Sequence, residues 1–264
     1  MVWGNQISSV QSGGVCPDWG LCAGSPSFLI QKSLFFILAA LIGCVIYFLK
    51  SKKLSLILGG FFILQAVLST ASGTLNHPLF LSVIQMITGV FLFSLLILST
   101  QVLEGKNFVL KKPSPKIQRL SVAGLLALLI QLILGALVRH THSGLACPNF
   151  PSCLDSFFPI PLTFETGIHF AHRWWGVLLL GVFAHLPLAA RKQSPELYRS
   201  ARNVFLLAVA QILAGIGILH SKMLPEPRTV HAALGYALWG ILFYLAIRSG
   251  KFGGLWSTSS SRRA

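Results

Sequence analysis

Apolar runs of membrane-spanning length recur along this chain, and they leave few folds open to it. Seven of them, near residues 33–49, 54–71, 79–99, 117–138, 168–190, 203–220 and 230–248, are long enough, or nearly so, to cross a bilayer. Such a crossing needs roughly 17–25 apolar residues per helix. Backbone inside hydrocarbon must satisfy its own hydrogen bonds, so the expected fold class is an all-α membrane protein with seven transmembrane helices. Charge density agrees: 10% of the 264 residues are charged, against about 25% in a soluble domain. A net charge of +15 would suit a nucleic-acid binder, but no basic residues gather on a solvated module. No nucleic acid is therefore expected as a partner, and the lipid bilayer is.

The basic residues instead mark topology. Sixteen of the 21 Lys and Arg lie in four stretches: 50–53, 106–119, 191–202 and the tail from Arg248. With seven spans these all fall on one side, which the positive-inside bias makes cytoplasmic. The expectation is an integral protein of the plasma membrane, with the N-terminus and cysteine loops outside and the C-terminus in the cytoplasm. Asp and Glu total only six, which leaves little scope for a carboxylate proton relay.

An internal repeat organises the chain further. Residues 9–22 (SVQSGGVCPDWGLC) and 140–153 (HTHSGLACPNFPSC) align without a gap. Each unit reads as helix, cysteine loop and three helices, with the first helix of the first unit absent from this sequence. The expected division is 1–105 as an N-terminal bundle, 106–116 as a basic cytoplasmic linker, and 117–264 as a C-terminal four-helix bundle with its tail. The two bundles, of three and four helices, would be pseudo-symmetric. Matching Leu41-Ile42-Gly43 to Leu179-Leu180-Gly181 sets Leu34 opposite His172, and matching Gly89 to Gly235 sets Gln85 opposite His231. The halves share a scaffold and part in chemistry.

Two groups could carry that chemistry. The pairs Cys16/Cys22 and Cys147/Cys153 have spacing wider than the usual zinc motif, and in an oxidising compartment each reads as an intraloop disulfide. A staple for the loop and a thiol-exchange centre both remain open, and Cys44 reads as core filling. Among the eight histidines, His172 and His231 fall within about a turn of the outer surface at similar depth. A buried imidazole must be paired, charged or ligating. Either these two bond across helices, or they hold a haem iron from both sides. Ala171, Gly176, Ala232, Ala233 and Gly235 around them would let a macrocycle approach the backbone. Arg173 would suit a haem propionate.

The loops VCPDWGLC and ACPNFPSC, the lead-in GALVRHTHSG, the helix start HFAHRWW and the final VHAALGY together resemble the haem A synthase family. The resemblance is close over 117–248 and weaker over 1–99. It implies two four-helix bundles and oxidation of a haem O methyl group to formyl, giving haem A for cytochrome oxidase assembly. It also implies a haem b in the C-terminal bundle, with the ligands falling on His172 and His231 and the loop cysteines on Cys16, Cys22, Cys147 and Cys153. The family's N-terminal bundle carries two further histidines and a glutamate, which fall here on Leu34, Gln85 and the vicinity of Gln31. His77 is the sole first-half histidine. Two functional readings follow: a haem A synthase-like oxidoreductase with haem O as substrate, or a non-catalytic haem-binding paralogue acting in haem relay or oxidase assembly. A homo-oligomer or a haem O synthase would be the protein partner. A transporter is a third reading, but it lacks the broken helices that mark transport sites.

Overall fold

The computed structural model describes residues 26–49, 51–75, 78–103, 115–154 and 156–250, with side chains from residue 37. The first cysteine pair, His77, most of the 106–116 linker and the C-terminal tail lie outside the described residues, as do the side chains of Gln31 and Leu34. Seven α-helices follow one another: α1 Pro26–Phe48, α2 Lys52–Thr74, α3 Leu79–Leu103, α4 Pro115–His140, α5 Phe164–Ala190, α6 Pro195–His220 and α7 Pro225–Arg248. A short 3₁₀ turn, Ser143–Leu145, interrupts the long α4–α5 connection. There is no strand among the described residues. Helices α2 to α7 are each long and apolar enough to cross a membrane. The chain is an all-α integral membrane protein.

Three of the helix starts are written in local chemistry. Thr163 and Thr166 cap each other at the head of α5: each hydroxyl accepts the other's backbone N–H, at 3.3 and 3.0 Å, which satisfies donors the helix leaves open. Ser194 caps α6 and Pro195 opens it, while α7 opens on Pro225. Proline costs nothing there, because the first-turn N–H has no helical partner.

Helices α4 to α7 form a closed ring, each packed on the next and α7 returning to α4. Their shared core gathers Leu125 and Leu128 of α4, Phe183 of α5, Val204 of α6 and Leu242 of α7. A second cluster joins Ile42 of α1, Leu54 and Leu58 of α2, and Leu92 and Leu98 of α3, with Ile247 of α7 completing it. Helix α3 therefore mediates, touching α2 on one side and α4 and α7 on the other. At that junction the buried Trp239 indole donates to Ser94 Oγ at 2.9 Å, and the ring of Phe93 fits against Gly240. At the end away from the cysteine loop, Arg248 and Tyr244 of α7 both bond Glu196 in the first turn of α6. That cluster is exposed and contributes little to stability.

Candidate functional site

At the opposite end of the four-helix ring, two imidazoles face each other. The rings of His172 on α5 and His231 on α7 have centroids 6.4 Å apart and planes at 64°. Because α5 begins at Phe164 and α7 at Pro225, the two histidines sit eight and six residues past their helix starts. At 1.5 Å per residue that is roughly 12 and 9 Å along the axes. Both are deeper than the apolar runs suggested, and their depths still match.

Glycines on the neighbouring helices make room for both rings. A Cβ added at Gly135 of α4 would lie 3.1 Å from His172 Cε1, and one at Gly215 of α6 would lie 3.4 Å from His231 Cε1. One turn deeper, two glutamines span the helix gaps. Gln131 Nε2 donates to the His172 backbone carbonyl at 3.0 Å and lies 3.2 Å from where a Cβ on Gly176 would be. Gln211 Nε2 lies 3.3 Å from the equivalent point on Gly235. The Gln211 carbonyl stands 3.1 Å from His231 Nδ1. A hydrogen bond there puts the proton on Nδ1 and leaves Nε2 with a free lone pair. The Gln131 backbone carbonyl stands towards His172 in the equivalent way, at looser geometry. Neither Gln131 Oε1 nor Gln211 Oε1 has a donor, although both atoms are buried.

Gly176 and Gly235 were legible in the sequence as small neighbours of the histidines; Gln131, Gln211, Gly135 and Gly215 were not, yet their signal was present. Gln131/Gly135, His172/Gly176, Gln211/Gly215 and His231/Gly235 repeat one spacing of four on four successive helices. That spacing puts both members of each pair on one helix face. On α3 the same pattern recurs as Gln85/Gly89. Its neighbour Gln65 on α2 accepts the Thr88 hydroxyl at 2.7 Å.

Arg173 is held by the cysteine loop. Its Nε donates to His169 Nε2 at 3.1 Å, its Nη1 to the carbonyls of Asn149 (2.7 Å) and Ser152 (3.2 Å), and its Nη2 to the carbonyl of Cys147. Four of the five guanidinium N–H groups are thus spent on the clamp, leaving one for any other acceptor. Cys147 and Cys153 form a disulfide within that loop, both fully buried. His169, also buried, meets the Cys147 N–H through Nδ1 at 3.4 Å as well as Arg173 through Nε2. A neutral imidazole accepts at only one nitrogen, so the shorter contact to Arg173 is the hydrogen bond and the other is polar packing. Trp175 donates its indole N–H to the Ala127 carbonyl of α4 at 2.8 Å. Cys44 is exposed on α1 rather than in a core.

Comparison with known sequences bears on what such a site belongs to. A Heme A synthase of Symbiobacterium thermophilum is 26% identical over 273 residues, covering 93% of this chain and 89% of its own length. One from Geobacillus thermodenitrificans is 24% identical over 277 residues, covering 94% and 86%. A third, from Geobacillus kaustophilus, is 30% identical over 116 residues, which are 43% of this chain and 36% of the relative. The sequence signature of COX15-CtaA, described as cytochrome oxidase assembly protein, matches residues 32–243. Matched over most of its length, the chain belongs to the COX15-CtaA family, that of the haem A synthases.

Proposed function

We propose that this protein serves haem A biosynthesis as a membrane oxidoreductase that takes haem O as substrate and holds a haem b between His172 and His231. The observation that supports it is the imidazole pair. With metal–nitrogen bonds of about 2 Å on each side and roughly 1 Å from nitrogen to ring centre, two axial imidazoles lie roughly 6 Å apart between centres. The rings of His172 and His231 stand at 6.4 Å. Among the described residues no three His, Cys, Asp or Glu side chains gather as a metal site. Two imidazoles alone leave a bare ion under-coordinated, whereas a tetrapyrrole brings four nitrogens of its own. Gly135 and Gly215 supply the clearance that the rings need.

Bound there, the haem would supply one-electron exchange. The chain's own residues do the rest. His172 and His231 offer a nitrogen from opposite sides, the Gln211 carbonyl fixes the tautomer of His231, and Gly135 and Gly215 admit the rings. Arg173 presents a propionate with at most its one remaining N–H and otherwise fixes the loop over α5. The positive-inside bias of the basic connections supports an orientation with the cysteine-loop end of the bundle outside and the C-terminus in the cytoplasm. A haem O synthase, or a second copy of the chain, would deliver the substrate.

The test is spectroscopic. Protein purified in detergent shows a low-spin bis-imidazole haem spectrum, and His172→Ala or His231→Ala abolishes it. A folded wild-type preparation that binds no haem refutes the reading. Turnover is tested separately, by extracting haems from a host that makes haem O and has no other synthase. Appearance of haem A on expression supports the oxidoreductase. One observation favours the relay reading: no histidine occurs among the described residues of α1 to α3, and Gln85 stands opposite His231. Unchanged haem O in that host would support the relay.

A further inference from the structure

We propose that Gln131 and Gln211 are positioning residues of the imidazole site. They fix the rotation of α5 and α7, and with it the angle between the two rings. The inference rests on the bis-imidazole reading and deepens it.

Three observations carry it. The two glutamines occupy equivalent places, one turn deeper than the imidazoles, on the helices that flank the histidine-bearing ones. Each reaches its neighbour at the glycine one turn past the histidine. Gln131 Nε2 bonds the His172 carbonyl beside Gly176, and Gln211 Nε2 lies against Gly235. The side chain thus touches the backbone that carries the imidazole, where a small rotation of the helix swings the ring plane.

The second observation is that the arrangement is poor for stability. Gln131 Oε1 and Gln211 Oε1 are buried with no donor, and an unpaired buried carbonyl destabilises the fold that holds it. An apolar side chain of similar length would avoid that loss. A carboxamide kept at both symmetric places does something that packing alone does not require.

The third comes from the first half, where the described residues of α1 to α3 carry no imidazole. The alignment that pairs Gly89 with Gly235 also pairs Gln65 with Gln211. There the carboxamide oxygen is satisfied, accepting the Thr88 hydroxyl at 2.7 Å. Where no imidazole stands opposite, the amide is closed off by its own neighbours. Where one does, the amide is committed to the imidazole's helix.

The experiment uses the haem-loaded full chain. Gln131→Met, Gln211→Met and, as control, Gln65→Met are compared with wild type by thermal unfolding, by electron paramagnetic resonance of the ferric haem and by reduction potential. The low-spin signal reports the angle between axial imidazole planes. Gln131→Met and Gln211→Met are expected to keep haem and to melt at or above the wild-type temperature, with a shifted low-spin signal and a shifted potential. Gln65→Met is expected to melt lower with both haem readouts unmoved. Gly176→Ala and Gly235→Ala press on the same amides from the other side and are expected to shift the same signal, which keeps the test open should a methionine variant not fold. Wild-type signals in all four site variants, or an equal shift in Gln65→Met, overturn the proposal while the bis-imidazole haem stands. A folded wild-type protein with no low-spin haem overturns both.

Discussion

Gly135 and Gly215 occupy equivalent places in the ring, but the clearance at the two differs by enough to be measured. A Cβ at Gly135 would lie 3.1 Å from His172 Cε1, and one at Gly215 would lie 3.4 Å from His231 Cε1. Carbon atoms settle at about 3.5–4.0 Å. Alanine at 135 therefore forces the His172 ring back by about 0.4 Å or more, whereas alanine at 215 is within about 0.1 Å of an ordinary contact. Overpacking of that kind costs about 1–3 kcal/mol. At about 1.4 kcal/mol per tenfold, Gly135→Ala should weaken haem binding roughly 5- to 140-fold. Gly215→Ala should weaken it by less than about 3-fold. Without haem the imidazoles can swing aside, and replacing a mid-helix glycine by alanine is worth about 1 kcal/mol to the helix. Both variants should then melt no lower than wild type when haem-free. The assay is titration of haem-free protein with haem by absorbance, beside thermal unfolding of the same samples. Equal affinities for the two variants, or Gly215→Ala binding more weakly than Gly135→Ala, would refute the idea that the histidine rings rest on these glycines as ligands.

Two further outcomes test the surroundings of the site. Arg173→Lys replaces a fork that reaches three loop carbonyls and His169 with a single ammonium that cannot span them. Limited proteolysis between residues 147 and 158 should become several-fold faster, and an unchanged rate would mean the disulfide alone holds the loop. Ser94→Ala strips the Trp239 indole of its acceptor between α3 and α7 and should lower resistance to detergent unfolding by about 1 kcal/mol, the usual scale for cross-helix hydrogen bonds in bilayers. An unaltered unfolding curve would show the junction to rest on packing alone.

The bilayer-spanning parts of the helices were legible because hydrocarbon tolerates only apolar, self-bonded backbone; 79–99 and 117–138 sit inside α3 and α4 with little to spare. The helix starts were less legible. A hydropathy window sees only the part of a helix that lies in lipid, so α6 was expected from 203, although its first turns, PELYRSAR, form eight residues earlier. Ser194 followed by Pro195, and the proline at 225, carried that information in capping chemistry instead. At the site, His172 and His231 stood out because an imidazole in an apolar run is rare. Gln131 and Gln211 did not, since nothing in a single helix distinguishes a bridging carboxamide from a tolerated one. Arg173 shows the limit from the other side. Its charge suggested a carboxylate, and only the path of the loop reveals three backbone carbonyls converging on it.

On the alignment of the internal repeat, the two halves of the chain differ in the polar residues at matched positions. In both, a glutamine on one helix leans against the next at a glycine or threonine position: Gln211 at Gly235, Gln65 at Thr88. The position that carries an imidazole in α7 carries the Gln85 carboxamide in α3. An imidazole in hydrocarbon is stable only if something meets its nitrogens, and the second half arranges this with clearance for an added group. Within α2 and α3 the polar atoms at Gln65 and Thr88 meet each other, so that pair is complete without one.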